Sequence, residues 1–260
     1  MTNKKIFKLI IPAFVCLAIL VLFKVPAMAA PGISITQNGI DIGTAQNPKE
    51  MGTSLQILLL LTILSIAPAI LIMMTSFTRI IIILSFLRNA LGTQQMPPNQ
   101  VLVGLALFLS LFVMQPVIDD INNNAFQPYV NGQIEPNVAM DKASASIKGF
   151  MLKQMNNSED DLALFVNLAK IQTPVKPETL PLTVIIPAFI ISELKIAFQI
   201  GFLIFIPFLV IDMVVSSTLM SMGMMMLPPV MISLPFKILL FIMAGGWNLI
   251  TKSILSTFVR

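Results

Sequence analysis

The sequence predicts an all-α, integral membrane-type protein built from two long, proline-interrupted helical hairpins with a helical insertion between them. Three observations carry that fold class. Of 260 residues, 56% are hydrophobic and only 11% charged, where soluble domains hold about 45–50% and roughly 25%; the mean hydropathy is +0.89. Uncharged runs approaching the ~20 residues that span hydrocarbon occur in both halves of the chain. Between them, residues 119–181 hold eight of the twelve acids and five lysines.

The elements follow in order. Residues 1–29 read as a cleavable signal peptide. Lys4, Lys5 and Lys8 precede an apolar stretch over 9–23, and Ala27 and Ala29 form the small-residue cleavage site. Residues 30–54 are polar and glycine-containing and are expected to form a loose, exported N-terminal segment. Residues 55–118 make the first apolar helical hairpin. Its arms are 55–74, which contains Pro68, then 80–87 between Arg79 and Arg88, and 101–118 after a turn through Met96-Pro97-Pro98. Arg79 and Arg88 have no acids nearby and read as topology anchors on the inner side. The water-facing insertion, 119–181, has helical apolar spacing at Met140, Ala143, Ile147, Phe150 or Met151, and Met155. A second helix start follows at Ser158, with Glu159, Asp160 and Asp161 favouring the positive helix end. Residues 182–260 make the second apolar hairpin, interrupted at Pro187, the Glu193/Lys195 pair and Pro207, and carrying a methionine-rich loop before Pro228-Pro229.

Charge and composition exclude several functions. The formal charge of +4 comes from 16 basic and 12 acidic residues. The leader alone contains Lys4, Lys5, Lys8 and Lys24, so cleavage leaves twelve of each sign and removes the basis for a nucleic-acid surface. There is no histidine, and the one cysteine, Cys16, lies in the leader. Disulfides, Cys/His metal centres and cysteine or histidine catalysis have no residues to use. No phosphate-binding glycine loop occurs, so no cofactor is expected.

Two residue groups could carry function. Glu193, Lys195, Asp212 and Lys237 lie in apolar sequence, where ionisable side chains are costly and face a protein interior, a partner or water. Glu193 and Lys195 point to different sides of a helix. Each therefore needs a partner elsewhere, with Lys237 expected for Glu193 and Asp212 for Lys195, within or between subunits. These four read either as an ion path or as buried pairs that specify packing. Seven methionines lie within residues 213–231, including Met222, Met224, Met225 and Met226. Unbranched, polarizable side chains in a loop can close a pore without bonding its cargo.

Orientation carries a conflict. Cleavage places the N-terminus outside and Arg79 and Arg88 inside, but four simple spans would leave Lys252 and Arg260 outside, against the positive-inside rule. Hairpins that do not cross the bilayer in the usual way would remove the conflict.

Three long motifs resemble the FliP/SctR family of type III secretion export-gate proteins. They are Met74-Thr-Ser-Phe-Thr-Arg79 through Gln95-Met96-Pro97-Pro98-Asn99-Gln100, Phe189 through Phe202, and Asp212-Met213 through Pro228-Pro229. The resemblance covers essentially the whole mature chain. It implies a core channel-forming subunit of the flagellar type III protein export gate, pentameric in known members. It also implies the companions FliQ, FliR, FlhB and FlhA, unfolded flagellar export substrates, and no enzymatic activity. By the same resemblance Met222, Met224, Met225 and Met226 form a gasket around the closed channel. Residues 119–181 are the periplasmic part, in a protein of the bacterial inner membrane and flagellar basal body surrounded by membrane lipid. Two other classes fit the composition less well: an ion-coupled secondary transporter using Glu193, Lys195 and Asp212, and an intramembrane hydrolase, for which there is no mature cysteine, no histidine and no paired-aspartate motif.

Overall fold

The computed structural model describes residues 31–36, 39–44, 48–93, 95–155, 159–171, 176–224 and 227–258. The leader, with Ala27 and Ala29, and two of the four gasket methionines, Met225 and Met226, lie outside the described residues. The chain divides into units Met1–Ala67 and Pro68–Arg260.

In the first unit, the stretch expected to be loose contains a hairpin instead. Strands β1 (Pro31–Thr36) and β2 (Gly39–Thr44) pair antiparallel, with Ile33 opposite Ile42 and Ile35 opposite Ile40. The cause is visible in the period-two spacing of these β-branched residues. It is the one sheet among the described residues; everything else is helical. Helix α1 (Pro48–Met73) starts earlier than the apolar run, with proline at its first position, where the missing N–H costs nothing. From Leu55 to Ile66 its large side chains are exposed around the helix. A helix apolar on every side is made for lipid or for other apolar helices.

The second unit holds the core. Helix α2 (Phe77–Leu91) buries Ile80, Ile83, Leu84, Leu87 and Leu91, the i/i+3/i+4 stripe of an amphipathic helix. It stops at Gly92, whose φ of 75° is left-handed and whose N–H donates to the Asn89 carbonyl. Helix α3 (Asn99–Ile121) buries Leu102, Ala106, Ser110, Val113 and Met114 and exposes Phe108, Leu111 and Phe112 on the other side. Ser110 meets Ser76 at the start of α2 through a buried 3.0 Å hydrogen bond. The helical path does not end at Ile118 as expected. It runs through a π-helical turn, Asn122–Phe126, into α4 (Gln127–Val130).

The insertion forms α5 (Pro136–Gln154) and α6 (Glu159–Leu168), with Glu159, Asp160 and Asp161 in the first turn of α6. Its Phe150 and Met151 join the same core as Phe189 of the following helix. Helix α7 (Leu182–Ser221) is 40 residues long and continuous. Pro187, Glu193/Lys195 and Pro207, which interrupt the apolar run, all lie inside it; each proline removes one helix hydrogen bond while packing retains the rest. Its buried positions, Val184, Ile185, Ala188, Phe189, Ser192 and Glu193, thin to Ala197, Gly201 and Phe208. At 1.5 Å per residue α7 is about 60 Å long, twice the ~30 Å hydrocarbon thickness. Helix α8 (Pro229–Met243) buries Ser233, Lys237 and Phe241, and a sharp bend leads to α9 (Gly246–Ser256). By length and composition, two helical stretches, Asn99–Val130 and Leu182–Ser221, can cross a membrane, and the bent α8–α9 pair can make a third.

Candidate functional site

Among the described residues three ion pairs tie the second unit together, and their partners differ from those expected. Glu193 on α7 pairs with Arg79 on α2, not with Lys237. Arg79 Nε donates to Glu193 Oε2 at 2.8 Å, and the Nη2 group donates to the second carboxylate oxygen. The planar guanidinium thus forms the two-bond fork that carboxylates favour. Arg79 Nη1 donates to the Thr257 carbonyl at 3.0 Å and to its hydroxyl oxygen at 3.3 Å, and the Phe258 ring centroid lies 4.2 Å from the guanidinium carbon. Arg79 is 1% exposed and Glu193 0%. The residue expected to be a surface topology anchor is instead a buried fastener between α2, α7 and the segment after α9. Arg88 is half-buried in the last turn of α2, where a cation favours the negative helix end.

Asp212 on α7 pairs with Lys237 on α8, not with Lys195; Lys237 Nζ lies 2.6 Å from Asp212 Oδ2. Ser233, one helical turn before Lys237, donates to the other Asp212 oxygen. Lys237 also donates to the Ala90 carbonyl at 3.2 Å, capping the C-terminal end of α2. The ammonium passes close to Gly92, where a Cβ would lie 3.6 Å from Lys237 Nζ, an ordinary contact; glycine is favoured at that position by its left-handed φ of 75°. Replacing Asp212 by alanine leaves the Lys237 charge buried without its carboxylate. The expected cost is about 3–5 kcal/mol, and Asp212→Ala with Lys237→Met should recover most of it, as measured by thermal unfolding in detergent.

Lys195 Nζ meets both Asp161 oxygens, at 2.8 and 3.0 Å, and so ties α7 to insertion helix α6. Its side chain is 50% exposed, so it is not the buried charge its sequence position suggested. Sequence reasoning used Asp161 only as a helix-start carboxylate and passed over Ser233 and Thr257. The i/i+4 spacing of Ser233 and Lys237 was the available signal for the first.

The methionine loop lies between α7 and α8. Gly223, at φ 76°, ends α7; its N–H donates to the Met220 carbonyl at 3.1 Å, and the Met224 N–H reaches back to Leu219 at 3.0 Å. This 6→1 plus 5→2 pair is the Schellman motif, which stops a helix and reverses the chain. Pro228 and Pro229 then start α8. Met222 and Met224 are 74% and 50% exposed, and Met220 and Met231 are exposed beside them. Met222 and Met224 thus present apolar, deformable side chains that the described residues leave largely uncovered. Among the described residues no group of His, Cys, Asp and Glu is placed to hold a metal.

The sequence profile of the FliP family matches residues 60–254. The chain belongs to the FliP family. The match takes in all three ion pairs and the methionine loop. "Flagellar biosynthetic protein FliP" of Bacillus subtilis (strain 168) is 58% identical over 219 residues, covering 84% of this chain and 98% of that protein. The protein of the same name from Pectobacterium carotovorum subsp. carotovorum is 51% identical over 244 residues, 93% of this chain and 92% of its own. That of Caulobacter vibrioides is 48% identical over 240 residues, 92% and 90% respectively. This FliP-family chain therefore covers nine-tenths or more of each of these three relatives.

Proposed function

We propose that this chain is a core channel-forming subunit of the flagellar type III protein export gate in the bacterial inner membrane, with residues 119–181 on the periplasmic side. In this reading several copies assemble, with FliQ, FliR, FlhB and FlhA, around a path for unfolded flagellar subunits. The observation that carries it is the exposed methionine loop at the end of α7. Copies arranged around an axis would bring these loops together, and each methionine buried there contributes roughly 1.5–3 kcal/mol to closure. Thioether side chains have no strong hydrogen bonds to break, so the seal can reform after a polypeptide passes. The relatives' shared name, flagellar biosynthetic protein, supports the flagellar setting. The ion-coupled transporter gains nothing from the geometry, since Glu193 and Asp212 are each held by a cation.

The test replaces Met222, Met224, Met225 and Met226 with alanine and reconstitutes the assembled complex in vesicles. Assembly should survive, and ion leak should rise about tenfold or more, the factor that 1.4 kcal/mol of lost closing energy produces. A complex that assembles and stays tight would remove the loop from the gating role.

A further inference from the structure

Helix α9 differs from every other helix of the second hairpin. It leaves α8 at a bend of 68°. Gly245 supplies the turn with a left-handed φ of 60°, and Gly246 lets the chain pass against Phe241, whose ring would lie 2.3 Å from a Cβ there. Trp247 then packs edge to face on Phe241, with ring centroids 5.4 Å apart.

Beyond the bend, the helix is two-sided. Gly246, Ile250 and Ile254 face the protein. Asn248, Thr251, Lys252, Leu255 and Ser256 follow one another at i, i+3, i+4, i+7 and i+8 and, with Phe258, line a groove of about 540 Å³. Trp247 and Leu249 flank the buried face on either side and are exposed. Lys252 takes part in none of the three ion pairs among the described residues. From Met213 to Arg260 the sequence contains no acid; its cations are Lys237, Lys252 and Arg260, and Asp212 neutralises only the first.

We propose that α9 lies in the interfacial plane of the membrane and that Lys252, with Asn248 and Thr251 beside it, binds the phosphate headgroup of an anionic phospholipid. The bend turns the chain from an apolar helix toward the membrane plane. Tryptophan at the border of the polar and apolar sides suits the headgroup level, and lysine on the polar side suits an anionic surface. The uncompensated positive charge of the segment complements that surface. A free phosphate ion would use the polar stripe but leave exposed Trp247 and Leu249 without a role.

The chain contains one tryptophan, so its intrinsic fluorescence reports Trp247 alone. The full chain is reconstituted in phosphatidylcholine vesicles containing equal small fractions of either brominated phosphatidylglycerol or brominated phosphatidylcholine. Bromines near the headgroup end of the acyl chain should quench Trp247 more than bromines at the terminal methyl. Phosphatidylglycerol should quench more than phosphatidylcholine, and Lys252→Gln should lower that preference about fivefold, the effect of one lysine at an anionic surface. Lys252→Arg should keep it. Equal quenching by the two lipids, or preference unchanged in Lys252→Gln, overturns the headgroup site. Strongest quenching from the terminal methyl shows α9 continuing a span, and quenching by aqueous acrylamide alone, or by neither agent, shows it facing water or protein; each overturns the interfacial placement.

Discussion

Arg79→Ala is expected to cost about 3–5 kcal/mol of folding stability, the range for removing one partner of a buried ion pair. Glu193 would remain 0% exposed with no cation beside it, and the Thr257 carbonyl would lose a donor. The variant should melt far below the parent in detergent, and little of it should assemble. Arg79→Lys should be nearly as damaging, because a single ammonium cannot supply the fork to Glu193 and the bond to Thr257 together. The double variant Arg79→Leu with Glu193→Leu separates charge from packing. It should regain most of the loss, since a buried pair replaced by apolar groups is often neutral or stabilising. If the double variant is as unstable as Arg79→Ala, the pair does more than neutralise itself.

The second large effect lies where α2 and α7 cross. Gly201 gives way to the Phe86 ring: a Cβ there would sit 2.6 Å from Phe86 Cγ and Cδ2 and 3.0 Å from its Cβ. The Phe86 Cβ is fixed whatever the rotamer, and the ring atoms can move away only by breaking the edge-to-face contact with Phe198, whose ring centroid lies 5.2 Å away. Gly201→Ala should destabilise by about 1–3 kcal/mol and Gly201→Val by more. Phe86→Ala, destabilising alone, should remove most of the further cost of Gly201→Ala, leaving only the 3.0 Å contact with the Cβ that alanine keeps. Denaturant midpoints of the four proteins form a double-mutant cycle that reads the coupling.

The sequence made the helices legible, because apolar runs, prolines and glycines mark them locally. Gly92 and Gly223 sit where left-handed helix ends are needed, and the acidic start of α6 stands as expected. Partners were another matter. Glu193 and Arg79 are separated by 114 positions, and no periodicity links them. Arg79 looked like an anchor because it borders an apolar run; only the fold brings α7 alongside to bury it. The same holds for Lys195, whose apolar neighbours in sequence hide the fact that α6 offers Asp161 on the water side. The continuity of α7 through Pro187 and Pro207 is not legible locally for a different reason: proline acts as a breaker by local chemistry, while the packing that overrules it is nonlocal. The N-terminal hairpin has its signal in the alternating isoleucines 33, 35, 40 and 42, which the glycine and polar content of the segment masks.

Glu193 and Lys195 hold α7 from two directions within a single helical turn, one toward α2 and the other toward α6. Beyond that level α7 runs about 43 Å to Met222 at 1.5 Å per residue. Along that length Phe86 of α2 packs on Gly201, and Asp212 is tied through Lys237 to α8 and to the Ala90 carbonyl of α2. A push on the insertion is therefore shared along α2 and α8 as well, and the load reaches the methionine-bearing end through three helices rather than one.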